Sequence, residues 1–403
     1  MTVDMADKAD LTKTQAQTLP VGSTRARRNA EGRPQIYMDH NGSTPMLAAA
    51  LDAMMPFLET GFGNPSGGHW AAAGAKEVIE QTRAMIAGLI GANTDEIVFT
   101  SGATEANNMA IKGVPGLATP KGTHIITTAI EHDAVLRPVR FLRSQGAKVT
   151  ILPVDGEGLV DPEAVRAEIR DETALISVML ANNEIGTIQP VGEIAKIARA
   201  HGIPVHTDAA QAIGKIPVDV SDLGVNMLSL AGHKFGAPNG VGALYLRKGQ
   251  NCTPLLHGGG QERARRSGTE SALLLAGLGA AAEHAADKTN SRIQAMRDYF
   301  WNCLEEDFGD RVVLNGHRFK RVPNTLSVSF PGHVGADILA TMPQVAATTG
   351  SACHAGCVDM SHVLIAMGKS LDVGVGTIRF SLGETNTIAE IDAVMAALRR
   401  AAI

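Results

Sequence analysis

The sequence predicts an α/β protein with a mostly parallel or mixed sheet covered on both faces. Short apolar runs alternate with amphipathic helical stretches from about residue 90 onward. Glycine is abundant, at 43 residues, and clusters in turns between those runs, which suits close approach of backbone to a ligand. At 403 residues the chain can bury a large core, with one large and one smaller domain as the natural division.

Each element has a local reason. Glu96–Thr100 is β-branched and apolar and ends at Ser101-Gly102, so it reads as a strand followed by a helix over Thr104–Lys112. His124–Thr128 reads as the next strand, with a helix near Asp133–Ser144. Lys148–Pro153, Ala174–Leu180, Val205–Asp208, Met227–Leu230 and Ala243–Leu246 are further strands, and Val191–His201 is a helix between two of them. Ala280–Phe308 is rich in helix formers and links to a second domain. There, Pro323–Phe330 and Thr377–Ser381 alternate as half-buried strands, and Thr387–Ala402 is a terminal amphipathic helix. Residues 1–33 are polar and mixed in charge and read as a mobile tail, with an interaction arm as the alternative.

Composition narrows the function. A net charge of −5 gives no basic face for nucleic acid, and 4% aromatic residues give no stacking platform for single strands. No apolar run is long enough to span a bilayer, and no signal core is present near the start. Four cysteines in so long a chain do not make a disulfide framework, so a reducing cytoplasm is expected. Cys353 and Cys357 lack a second ligand pair, so no metal site is expected.

The chemistry is concentrated at strand ends, where open α/β sheets bind ligands. Lys234, in Gly232-His233-Lys234, stands where an apolar strand breaks into a Gly/Pro/Asn turn. A partly desolvated amine there loses its proton readily and can hold a carbonyl cofactor. Asp208 ends the preceding strand, with Gln211 close behind. An aspartate for a pyridinium nitrogen and a lysine for an aldehyde point to pyridoxal 5'-phosphate.

The other motifs each have two local readings. Ser101-Gly102-Ala103-Thr104-Glu105 is a phosphate cradle at a helix start or an ordinary N-cap. His132 stacks on a ring or relays protons, or is a structural histidine. Asn182-Asn183 donates to a carboxylate or forms an Asx turn. Gly258–Arg263 and Arg266–Glu270 are a surface loop or a second phosphate contact, given to a neighbouring subunit. Thr348–His354 is a small-residue loop that leaves the thiol of Cys353 accessible, with His354 favouring the thiolate.

Taken together the motifs resemble the cysteine desulfurases and the similar selenocysteine lyases, within the class V aminotransferase-like, fold type I pyridoxal-phosphate enzymes. The likeness runs from about Ile36 to the C-terminus. It rests on Met38–Pro45, Gly63-Asn64-Pro65-Ser66, the Thr104 loop, Glu131-His132, Asn182-Asn183-Glu184, Asp208–Gln211, Gly232-His233-Lys234, Ser267-Gly268-Thr269, Cys353 and Arg379. The resemblance implies a mostly parallel seven-stranded sheet in a large domain, over residues 45–285. It implies a smaller α+β domain from 34–44 and 286–403 that carries the cysteine loop. It also implies roles. Lys234 holds the cofactor and moves the Cα proton, Asp208 pairs with the ring nitrogen, Gln211 with the ring oxygen, and His132 stacks. Ala103, Thr104, His233 and a partner subunit's copy of Thr269 hold the phosphate; Asn183, Arg379 and Asn41 hold the substrate; Cys353 takes the sulfur as a persulfide.

The chain departs from the family's usual pattern at three places. Ala231 stands where a phosphate-binding serine is common, Gly42-Ser43-Thr44-Pro45 replaces Ala-Thr-Thr-Pro, and the cysteine is followed by His354-Ala355-Gly356-Cys357. The expected reaction is removal of sulfur from L-cysteine to give L-alanine, with release of selenium from L-selenocysteine as the alternative. Another β-elimination enzyme or a non-catalytic scaffold ranks below both. The expected partners are a sulfur-acceptor protein or small thiol and a second copy of the chain.

Overall fold

The computed structural model describes residues 35–117, 122–349, 351–354 and 357–401, without the side chains of 351–354 and 357–359. The predicted tail, 1–33, lies outside the described residues. After β1 (Ile36–Tyr37), seven strands form the main sheet: β2 (Ile97–Thr100), β3 (His124–Thr128), β4 (Lys148–Leu152), β5 (Thr173–Ser177), β6 (Val205–Asp208), β7 (Met227–Ala231) and β8 (Gly242–Leu246). Their spatial order is β2-β8-β7-β6-β5-β3-β4. The pairs β3–β4, β3–β5, β5–β6 and β6–β7 are parallel, and β8 runs antiparallel to both its neighbours.

The strands are buried on both faces because alternate residues feed two cores. Ile97, Phe99, Leu228 and Leu230 point to one, with the helix Ala73–Leu89 supplying Ile79 and Ile86. Val98 and Met227 point to the other, against Val135, Val139 and Leu142 of the helix Asp133–Ser144. This two-sided cover explains why the strands read as continuous apolar runs. The β5 strand is shorter than the run Ala174–Leu180 suggested. Beyond Ser177 the backbone turns to the site, where the Met179 amide donates to the buried Glu131 carboxylate at 2.9 Å.

The helix-rich stretch before the second core is two helices, Ala272–Asp287 and Ser291–Phe308, broken at Lys288–Asn290. Beyond them come β9 (Val313–Asn315), β10 (Thr325–Ser329), β11 (Val345–Ala346), β12 (Thr348–Thr349), β13 (Ser351–His354), β14 (Cys357–Met360) and β15 (Thr377–Ser381). A four-stranded sheet has the order β12-β15-β10-β9, and β1 pairs in parallel with β11. Phe300, Leu304, Phe330, Phe380, Ile391 and Leu398 fill the core beneath it, with the Phe300 and Phe380 rings 5.0 Å apart.

Two expectations need correction here. Both β10 and β15 are fully buried, not half-buried. Their polar face is covered by the site network rather than by water: Thr325 accepts a hydrogen bond from the Asn41 side chain at 2.8 Å. The small-residue loop around Cys353 is at backbone level a two-stranded antiparallel ribbon, with Cys353 opposite Val358 and His354 opposite Cys357. Antiparallel pairing lets a loop of small residues satisfy its backbone groups without a core of its own.

Candidate active site

Strand ends converge on one place. The β7 strand runs out at Ala231 into the single turn Gly232–Lys234, and its parallel neighbour β6 ends at Asp208. The Lys234 ammonium donates to the carbonyls of Asn41 at 2.6 Å and Gly42 at 2.7 Å. Burial, helped by Arg379, pulls its pKa down to about 8, against Asp39 and Asp208, which pull the other way. Asp208 is buried, and its two oxygens accept from the Asn107 side chain at 2.6 Å and the Ala210 amide at 2.9 Å. The other amide atom of Asn107, Oδ1, is buried without a hydrogen-bond partner.

Ser101-Gly102 joins β2 to the helix Ala103–Gly113, so Ala103 and Thr104 stand at its first turn. Gly102 has φ +141°, and a Cβ on Gly242 would lie 2.7 Å from its Cα. Only glycine fits at both positions, which leaves the backbone amides at this helix start uncrowded. Glu105 accepts from the Ser101 amide at 2.7 Å and from Arg266 at 2.7 Å, tying the Arg266–Glu270 loop to the same helix start. Thr269 lines a groove with Ser101 and Arg266 of its own chain. His233 is held neutral, its pKa drawn down to about 4 by burial and then by Lys234.

His132 is exposed and caps the helix Asp133–Ser144, its Nδ1 accepting from the Ala134 amide at 3.0 Å. The cap is the structural reading of this histidine, and it fixes the ring through Nδ1. Asn182 is the Asx turn: its Oδ1 accepts from the amides of Glu184 and Ile185 at 2.8 and 3.0 Å. Its neighbour Asn183 reaches the site through its carbonyl, which accepts from Asn41 at 3.1 Å and Arg379 at 2.9 Å. Arg379 also donates to Asp39 at 2.5 Å, and its Nε is buried without a partner. Gln211 is buried and donates to the Asn41 carbonyl at 3.0 Å.

The ribbon that carries Cys353 is moored beside the site. Ser361, immediately after β14, donates to the Glu184 carboxylate at 2.5 Å, and His362 bonds the Glu131 carbonyl at 3.0 Å. Burial raises the pKa of Glu184. The Cys353 thiol itself lies outside the described side chains. Sequence reasoning missed Asn107, Lys215 and Asp39 as parts of the site and gave Glu184 no role. None of them has a local signal, since each acts on a residue far away in the chain.

The class-V aminotransferase family model matches residues 36–394. The chain is 46% identical over 371 residues to the cysteine desulfurase IscS of Dictyoglomus turgidum, covering 91% of this chain and 94% of that one. Among solved structures, a NifS-like protein superposes with a TM-score of 0.84 at 36% identity, over 91% of this chain and 98% of its own. SspA in complex with cysteine superposes with a TM-score of 0.78 at 38% identity, over 86% and 98%.

Proposed function

The chain belongs to the class-V aminotransferase family as a pyridoxal-phosphate-dependent cysteine desulfurase, and on that premise we propose how its residues share the work. The observation that carries the assignment of roles is that Lys234 and Asp208 stand at the ends of two adjacent parallel strands. The residues fit pyridoxal phosphate. There is an amine drawn toward neutrality by burial, a buried carboxylate fixed by two donors, and a glycine-lined amide cradle at a helix start. When bound, that group supplies an electron sink for the substrate's Cα–H bond.

Lys234 is the amine that would hold the cofactor aldehyde, and its Nζ would take and return the substrate's Cα proton. Asp208 would pair with the ring nitrogen, and Asn107 and the Ala210 amide hold that carboxylate in place. Ala103 and Thr104 at the helix start, neutral His233 and the Thr269 of a second copy of the chain would bind the phosphate. His132 stacks on the ring. Arg379 binds the substrate carboxylate, with Asn41 and Asn183 beside it. Cys353 is the nucleophile: its thiolate sulfur bonds the substrate sulfur, the Cβ–S bond breaks, and its electrons leave with the carbon fragment. Protonation of that fragment gives L-alanine, and the persulfide stays on Cys353.

The named relatives are cysteine desulfurases, which favours sulfur over selenium. Further parts of the reading concern the protein's surroundings. A second copy of the chain brings a Thr269 to each site, and an acceptor protein or small thiol takes the persulfide sulfur. Four cysteines in 403 residues suit a reducing cytoplasm, and among the described residues no helix is long and apolar enough to cross a membrane. The purified protein should show a visible band near ~420 nm, expected of a pyridoxal-lysine chromophore. It should also release alanine and sulfide from L-cysteine. Cys353→Ala should keep the band and lose sulfide release. A Cys353→Ala protein with undiminished cysteine turnover would overturn the nucleophile, and a wild type that never takes up pyridoxal phosphate would overturn the site.

A further inference from the structure

Among the described residues, Lys215 is the buried amine behind the site that the roles above leave unused. It is 7% exposed, and its Nζ faces two amide oxygens: Oδ1 of Asn41 at 2.8 Å and Oε1 of Gln211 at hydrogen-bond distance. No carboxylate neutralises it in a described salt bridge, and burial together with Lys234, Arg379 and Lys288 holds its pKa well below the ordinary lysine range. An isolated ammonium at such a place is costly, whereas a lysine nitrogen in either protonation state carries at least two hydrogens for two oxygens.

We propose that Lys215 is a positioning residue that fixes which way the side-chain amides of Gln211 and Asn41 point, and so sets the hydrogen-bond polarity of the site. The argument is one of complementarity. A side-chain amide has an oxygen end and an NH2 end that differ little in shape. With Lys215 donating to both amides from behind, their oxygen ends face it and their NH2 ends face the site. Gln211 then donates to the Asn41 carbonyl at 3.0 Å, the same carbonyl that accepts from Lys234. One amide hydrogen serves that carbonyl and the other serves a ring oxygen of the cofactor. Asn41 donates to the Asn183 carbonyl at 3.1 Å, which also accepts from Arg379. Asn324 donates to the same Asn41 oxygen at 3.0 Å and so enforces the same orientation. For Gln211 the Asn41 carbonyl, which can only accept, favours the same orientation, and Lys215 holds the oxygen end from the other side.

The inference rests on the reading of Gln211 as the partner of the ring oxygen, and the test separates the two. Lys215→Met keeps length and removes the donors; Gln211→Leu removes the amide itself. The measurement is the pH midpoint of the visible band of the pyridoxal-phosphate-loaded proteins, with circular dichroism to establish folding. Losing a donor to the deprotonated ring oxygen lets the chromophore hold its proton more tightly, so the midpoint should rise. Gln211→Leu should raise it by about one pH unit, a tenfold change in the proton equilibrium. Lys215→Met should raise it by a similar amount, and the double variant no further than either alone. Lys215→Gln, which keeps two donor hydrogens, should lie close to wild type and serves where Lys215→Met fails to fold. An unmoved midpoint in Gln211→Leu would overturn the reading of Gln211. A midpoint that moves in Gln211→Leu but stays in Lys215→Met would overturn the role of Lys215. Additive shifts in the double variant would show Lys215 acting through its charge and would equally overturn the orientation mechanism.

Discussion

Burial and the nearby Arg379 pull the Lys234 ammonium down to about 8, where free lysine titrates at 10.5. In the cofactor-free protein the neutral, nucleophilic amine therefore predominates above about pH 8. The rate of pyridoxal phosphate uptake by the apoprotein should climb to half its maximum near that pH and then level off. Stopped-flow absorbance would measure it, and a half-maximum near the ordinary lysine value would contradict the geometry. Asp208 depends on its donors in the same residue-by-residue way. Asp208→Asn should lower kcat about 100-fold, the loss of one charge-assisted partner at roughly 2–3 kcal/mol. Asn107→Ala leaves the charge but frees one oxygen of Asp208, and should cost about 10-fold in kcat. Steady-state alanine formation checks both, and an Asn107→Ala protein as slow as Asp208→Asn would mean that Asn107 does more than hold the carboxylate.

At the scale of elements, the turn before Thr269 is held against its own backbone preference. Glu262, Arg263 and Ala264 have φ of 49°, 57° and 61°, the left-handed region, with no glycine among them. Each such residue costs roughly 1 kcal/mol. The turn persists because the Glu262 carboxylate is buried against Arg83, at 2.8 and 2.9 Å, and accepts from the Phe99 amide at 2.8 Å. Arg83 in turn lies 4.5 Å from the centre of the Phe99 ring. The strain is a fixed cost of aiming Arg266 at Glu105 and placing Thr269 beside Ser101. Ala264→Gly relieves one left-handed residue at some cost in unfolded-state entropy, and should stabilise the protein by about 0.5–1 kcal/mol. A urea titration reads the change; a destabilised variant would mean that the Ala264 methyl packs in a way that outweighs the strain.

At the scale of the whole molecule, buried titratable groups set how stability depends on pH. Burial lowers His40 to about 4 and His206 to about 3, and burial with Lys234 lowers His233 to about 4, from an ordinary 6.5. Between pH 6.5 and about 4 the unfolded chain takes up protons that the folded chain refuses, so unfolding gains as pH falls. Glu131 works the other way: burial holds it up to about 8, so unfolding releases its proton between 4.5 and 8. His124 is lowered by burial too and Glu184 raised, so four histidines oppose two glutamates and outweigh them below pH 6.5. The urea midpoint of the apoprotein should therefore drop from about pH 6.5 to about pH 4.5, and a flat or rising midpoint would mean that these histidines are not held neutral.

Much of this molecule was legible in the sequence. Strands β3 and β6 match His124–Thr128 and Val205–Asp208 residue for residue, and β15 matches the bounds Thr377–Ser381 while being fully rather than half-buried. The placement of Lys234 and Asp208 at the ends of neighbouring strands was legible, because a turn-rich stretch follows each strand in the sequence. The burial of β10 was not legible: Thr325, Ser327 and Ser329 look solvent-facing, and only the packing shows them turned inward, with Thr325 meeting Asn41. Nor was Asn107, whose bond to Asp208 spans 101 residues of chain, or Lys215, which resembles any surface lysine until the fold encloses it. The sequence by itself determined the sheet, the amine and its carboxylate, since local patterning and residue chemistry decide those. The tertiary structure alone decided which distant amides, carboxylates and lysines hold them, because hydrogen bonds between remote residues leave no periodicity along a chain.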